Sequence, residues 1–137
     1  MAARTKARKR ALEILFEAEA RGLNVGQLLA DRVAKPTTQH PLPDYTVTVV
    51  EGVLAHWGEI NEVLETYSQG WQLDRMPAVD RAALRVATWE IVWNDEVPDP
   101  VAISEAIALV QGMSTDESPK FVNGLLARVA DVKATIA

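Results

Sequence analysis

Apolar residues recur at three- and four-residue steps along most of the chain, which predicts a succession of amphipathic helices. The first runs from about residue 4 to 20, with Ala11, Leu12, Leu15, Phe16 and Ala18 on one stripe and Gly22 as its stop. Asn24 is placed to cap a short second helix through Leu28, Leu29 and Val33. Residues 35–43 carry three prolines and read as a surface loop. Asp44 then reads as the cap of a helix burying Val47, Val50, Val53, Leu54 and Trp57. The β-branched run TVTVV gives only a weak strand signal there. Residues 59–68 continue in helical register to Gly70. Pro77 opens the most hydrophobic segment, with Val79, Ala83, Val86, Ala87 and Ile91 in register and Trp89 four residues before Trp93. Pro98 and Pro100 read as its break, and a sixth helix follows from Val101 to Met113. Ser118-Pro119 reads as the cap and first turn of a seventh, through Phe121, Val122, Leu125, Leu126 and Val129. The pattern predicts an all-α, compact bundle of about seven helices in one domain over residues 1–137.

Composition narrows the chemistry. The 137 residues include no cysteine, which removes disulfides, thiolate zinc sites and a cysteine nucleophile. No apolar run approaches the roughly 20 residues that span a bilayer, so no membrane partner and a cytoplasmic location are expected. His40 and His56 are the only histidines, and neither is expected to hold a metal. No phosphate-cradling glycine motif or nucleophile elbow is present. The carboxylates are spread over helix surfaces. No cofactor and no catalysis are expected. The four tryptophans lie on apolar stripes and read as core, with Trp71, beside Gly70, kept as a surface candidate.

Charge changes the picture more. Net charge is −5, yet Arg4, Lys6, Arg8, Lys9 and Arg10 stand in a first decad without any acid. The other nine basic residues face nineteen acidic ones, a net of −10 from residue 11 onward. A basic arm on an acidic body marks a polyanion-binding end. The bland reading is a solvated tail. Against it stands the helix dipole: each exposed cation at a helix N-terminus costs roughly 0.3–1 kcal/mol. If all five cations met phosphates of single-stranded RNA, binding would carry a salt slope of about −3.5. Deletion of residues 1–10 is expected to remove RNA binding and leave helical content intact.

Three stretches resemble the bacterial NusB family. They are ARKRALEILFEAE at 7–19, GWQLDRMPAVDRAALRVATWE at 70–90 with AISEAI at 102–107, and STDESPKFVNGLL at 114–126. The resemblance implies a seven-helix bundle that pairs with NusE, the small-subunit ribosomal protein. The pair would bind the boxA element of rRNA leader transcripts and join an RNA polymerase antitermination complex. It places the RNA contacts in the basic arm, here Arg4, Lys6, Arg8, Lys9 and Arg10. A second contact falls at the start of the last helix. There Lys120 would meet a phosphate, and Phe121 would either stack on a base or pack in the core. For NusE the resemblance points to acidic residues of the fifth helix, here Asp80 and Glu90.

Of three other readings, the first is discounted for want of a cysteine and two remain open on the residues. A NusB-like module also heads an rRNA cytosine methyltransferase, which needs a catalytic cysteine and a further domain. A protein-interaction bundle would dock its arm on an acidic partner. A homodimer would cover the RNA surface.

Overall fold

The computed structural model describes residues 2–136. Seven α-helices follow one another: α1 (Ala2–Arg21), α2 (Val25–Ala34), α3 (Asp44–Ala55), α4 (Trp57–Tyr67), α5 (Ala78–Trp93), α6 (Asp99–Met113) and α7 (Ser118–Val132). Short 3-10 turns at Leu73–Arg75 and Lys133–Thr135, which the periodicity does not reveal, complete the order. The described residues contain no strand, and TVTVV lies within α3. No helix among them is long and apolar enough to cross a membrane.

α5 is the axis of the bundle, although α3 and α6 are on average the more hydrophobic helices. Twelve of its sixteen residues are buried, and it packs against α1, α3, α4, α6 and α7. A helix enclosed on all sides needs partners for its polar groups, and α5 provides them incompletely: Asp80 Oδ1 and Thr88 Oγ1 are buried with no hydrogen-bond partner among the described residues. Thr46 of α3, fully buried, donates to the Ala7 carbonyl of α1. Gly52 lets α3 approach α5: a Cβ there would stand 2.2 Å from the Trp89 indole. Trp89 is core, as expected.

The helix ends depart from the predicted signals in detail. Gly22 ends α1 in the left-handed conformation, and the Leu23 N–H returns to the Ala18 carbonyl at 2.8 Å. Asn24 caps α2 by accepting from the Gln27 N–H at 3.0 Å. Asp44 is not a cap but the first residue of α3, after Pro43. Its charge still favours the dipole of that first turn. His56, between α3 and α4, breaks the continuous register and stacks on Trp93 at 4.1 Å. Pro100 does not break a helix. It sits in the first turn of α6, where the missing N–H has no intrahelical acceptor. Ser118 stands just inside α7 rather than before it.

Candidate nucleic-acid interface

The basic arm is the first two turns of α1, without an acid in the opening turn. Helical geometry sorts its five cations onto different faces. Lys6 and Lys9 are exposed, with no carboxylate in salt-bridge range among the described residues. Arg10 is partly exposed and lies 3.7 Å from Glu13. Arg4 lies over the Tyr45 ring at 4.3 Å, with Glu96 at 3.6 Å.

Arg8 corrects the expectation drawn from the sequence. Its side chain is 3 % exposed. Nε donates to both Glu90 oxygens at 3.0 and 2.8 Å, and Nη1 to Glu105 at 2.8 Å. Tyr45 donates to Glu90 at 2.5 Å, Asn94 donates to the Tyr45 hydroxyl at 3.2 Å, and Thr5 donates to Glu105 at 2.5 Å. Burial opposes the Arg8 charge, but Glu90, Tyr45 and Glu105 together outweigh it and hold the guanidinium above its ordinary value. Burial, then the bond to Glu90, pushes the Tyr45 hydroxyl up to about 12. A cation so enclosed is not offered to a phosphate. Its work is to fix α1 against α5 and α6.

Glu90 and Asp80 are corrected for the same reason. Glu90 is 1 % exposed and committed to Arg8 and Tyr45. Asp80 is fully buried and accepts from Ser118 Oγ at 2.7 Å. Ser118 Oγ also accepts from the Thr115 N–H at 3.3 Å. Asp80 therefore holds the α6–α7 connection in place and presents nothing to a partner. The carboxylate that α1 does expose towards α5 is Glu19, bound to Arg81 and Arg85.

Two clefts flank that connection. One, of about 260 Å³, lies between Thr5, Lys6 and Lys9 of α1 and Ala108, Gly112 and Met113 of α6. The other, of about 930 Å³, has Trp71, Phe121, Lys120, Arg75 and Arg128 in its walls. Met113 lines the first and Thr115 the second. Two residues of chain reach at most about 7 Å, so the clefts share one rim. Lys120 is exposed, as an RNA contact requires. Phe121 is half-buried and meets Trp71 edge-on at 4.5 Å, so it is neither wholly core nor free. Trp71 itself is 38 % exposed, as its place beside Gly70 predicts.

Sequence reasoning missed Tyr45, Glu105, Arg75 and Arg128. Tyr45 reaches Glu90, the partner of Arg8, across 45 residues, and Glu105 meets Arg8 across 97, separations no local pattern encodes. Arg75 and Arg128 stand alone in the sequence and become a cation group only when the connection before α5 closes on α7.

Residues 5–131 match the model of the NusB family. The chain is 59% identical over 137 residues to the transcription antitermination protein NusB of Kineococcus radiotolerans, covering all of this chain and 99% of that one. The T. maritima NusB structure superposes with a TM-score of 0.81 at 30% identity, over 93% of this chain and 90% of the other. A structure of antitermination factors NusB and NusE in complex with dsRNA gives 0.83 at 26% identity, over 96% and 98%. Matched in family model, full-length sequence and fold, the chain belongs to the NusB family.

Proposed function

We propose that this protein is a non-catalytic transcription antitermination factor of the cytoplasm. It binds RNA through the exposed side of α1, together with NusE, and joins the RNA polymerase antitermination complex. The observation that carries the reading is the sorting of the arm. Lys6 and Lys9 stand exposed beside a cleft, while Arg8 is buried beneath them to fix the helix. On a body that is net negative beyond residue 10, that cleft is where a phosphate chain meets attraction. Lys120, across the shared rim, extends the cationic track. NusE and RNA come to this chain from the NusB–NusE–dsRNA neighbour. The boxA element of rRNA leaders is the RNA that the sequence resemblance implies.

The test is binding of a boxA-like RNA and a scrambled RNA of equal length, each with and without NusE. Tighter binding of the boxA-like RNA, strongest with NusE, is expected. With Arg8 buried, four arm cations remain for phosphates, so the arm's salt slope is at most about −2.8. Lys6→Ala with Lys9→Ala is expected to reduce it by about 1.4. Equal affinity for both RNAs under every condition overturns the reading.

A further inference from the structure

The cleft walled by Trp71 and Phe121 contains more than a phosphate contact needs. Trp71 is the most exposed of the chain's large aromatic side chains, tied with Phe16 at 38 %. Its backbone is held in an uncommon way. Gln69 and Gly70, just before it, both have positive φ, 58° and 91°. Glycine adopts this region freely, whereas glutamine does so at a conformational cost. Ser68, 4 % exposed, donates to the Trp71 carbonyl at 2.6 Å and closes the turn. A surface indole fixed on a strained, hydrogen-bonded turn is a built perch. Strain of this kind persists where surrounding structure over-determines it, and it gathers at ligand sites.

The contents of the cleft identify the ligand class. Trp71 and Phe121 meet edge-on at an interplanar angle of 68°, which leaves aromatic surface open to a further ring. Lys120, Arg75 and Arg128 add three cations, against two acids, Asp116 and Glu117. Flat aromatic surface with surrounding cations suits a base and its flanking phosphates. A volume of about 930 Å³ admits a nucleotide. The rim shared with the Lys6–Lys9 cleft keeps this site on the path of a strand already held by the arm.

We infer that Trp71, with Arg75 and Arg128, extends the RNA site into a pocket that stacks one unpaired nucleobase beyond Phe121. The inference rests on the RNA-binding reading above. Trp71 supplies the stacking face, and Arg75 and Arg128 supply charge for the adjoining phosphates.

The test uses the full chain with a twelve-nucleotide oligoadenylate and an abasic chain of the same length. Oligoadenylate is expected to quench the exposed tryptophan emission of the wild type, and the abasic chain to quench little. Trp71→Phe should keep most of the affinity and lose the quench. Trp71→Leu should weaken oligoadenylate on the order of tenfold, the usual worth of one stacked base, and leave the abasic chain unchanged. Arg75→Ala should weaken both chains and flatten the salt slope.

Quenching that survives in Trp71→Phe, or equal quenching by the abasic chain, overturns the pocket. So does a folded Trp71→Leu with undiminished oligoadenylate affinity. If Trp71→Leu weakens NusE binding alone, the cleft is a protein site and the inference fails. Should Trp71→Leu not fold, Trp71→Phe and Arg75→Ala decide. Loss of oligoadenylate binding in Lys6→Ala/Lys9→Ala while Trp71→Leu binds normally leaves the arm reading standing and sinks only the pocket. Unchanged binding in the lysine variant strikes the arm reading itself.

Discussion

α1 is pinned to α5 at both ends by clusters of opposite construction. Near its start one arginine, Arg8, is held by two glutamates, Glu90 and Glu105, with side chains 3 %, 1 % and 18 % exposed. Near its end one glutamate, Glu19, is held by two arginines, Arg81 and Arg85, and is 37 % exposed. The first cluster lies out of water, so each oxygen and N–H needs a protein partner; Tyr45, Asn94 and Thr5 complete it. The second is open on its glutamate side alone: Arg81 and Arg85 are 11 % and 7 % exposed, so water reaches the carboxylate while oxygens of Leu73, Met76 and Asn61 complete the arginines. Similar residues therefore do different work. The buried cluster dictates where the arm lies, and the open one is a surface contact that a partner can reach.

The difference predicts unequal damage. Glu90→Ala leaves Arg8 charged, buried and without its main partner. Removing one member of a buried pair costs about 3–5 kcal/mol, so a large drop in the urea midpoint is expected. Arg8→Ala should cost nearly as much, by stranding Glu90. This also revises the deletion test: Ala7 and Arg8 are buried, so removing residues 1–10 takes part of the core as well as the arm. A loss of less than about 1 kcal/mol in either variant, measured by chemical denaturation, would mean that the cluster is hydrated in solution.

Tyr45→Phe probes the same cluster more gently. It removes one hydrogen bond to a charged acceptor, worth about 1.5–3 kcal/mol, together with the one that Asn94 gives to the hydroxyl. It also carries a pH signature. The Tyr45 hydroxyl is raised in the folded state from its ordinary 10 to about 12. A raised group gives its stabilisation in full below its unfolded pKa and loses it as pH rises through the folded value. Stability should fall between about pH 10 and 12, and that part of the fall should vanish in Tyr45→Phe. Tyrosinate absorbance at 295 nm (an ordinary titration near 10 would break the argument) follows the group directly.

How much of this could be read in the sequence depends on the range of the forces involved. The seven helices were legible because each needs only its own apolar period, and Gly22 and Asn24 act within a few residues. Asp44, Pro100 and Ser118 were placed to within a residue or two but given the wrong local role, since helix signals tolerate that shift. The arm was legible as charge. What charge counting cannot show is the direction of each side chain. Arg8 differs from Lys6 and Lys9 only in lying on the face that meets α5. Asp80 and Glu90 looked like surface acids because their partners, Ser118 and Arg8, lie 38 and 82 residues away. Trp71 was legible because a glycine turn beside an aromatic leaves it little core to enter.

Glu19→Gln tests the half-open cluster and should cost less than Glu90→Ala, because water reaches the Glu19 carboxylate and Arg81 and Arg85 keep acceptors on Leu73, Met76 and Asn61. Hydrogen bonding by Arg81, chiefly, holds the Glu19 carboxyl below the usual range. A lowered group contributes above its unfolded pKa and loses that contribution as pH falls through the folded value. The wild type should therefore lose slightly more stability than Glu19→Gln on acidification below about 4.5, and 1 M salt should narrow the gap. A cost near that of Glu90→Ala would erase the distinction between the two clusters.

The smallest effect on stability belongs to the residues with the largest expected effect on RNA. Lys6 and Lys9 are exposed and, among the described residues, have no carboxylate in salt-bridge range, so replacing both with alanine removes no ion pair of the fold. Alanine is the better helix former, and losing two cations near a helix N-terminus relieves the dipole slightly. The urea midpoint should stay within about 0.5 kcal/mol of wild type, or rise. RNA binding should weaken sharply and become less salt-sensitive, because two phosphate contacts are gone. Stability and binding would then move independently within one turn of one helix, beside Arg8, whose loss harms both. A destabilised Lys6→Ala/Lys9→Ala variant would place these lysines in the frame beside Arg8 and leave the arm without a face reserved for RNA.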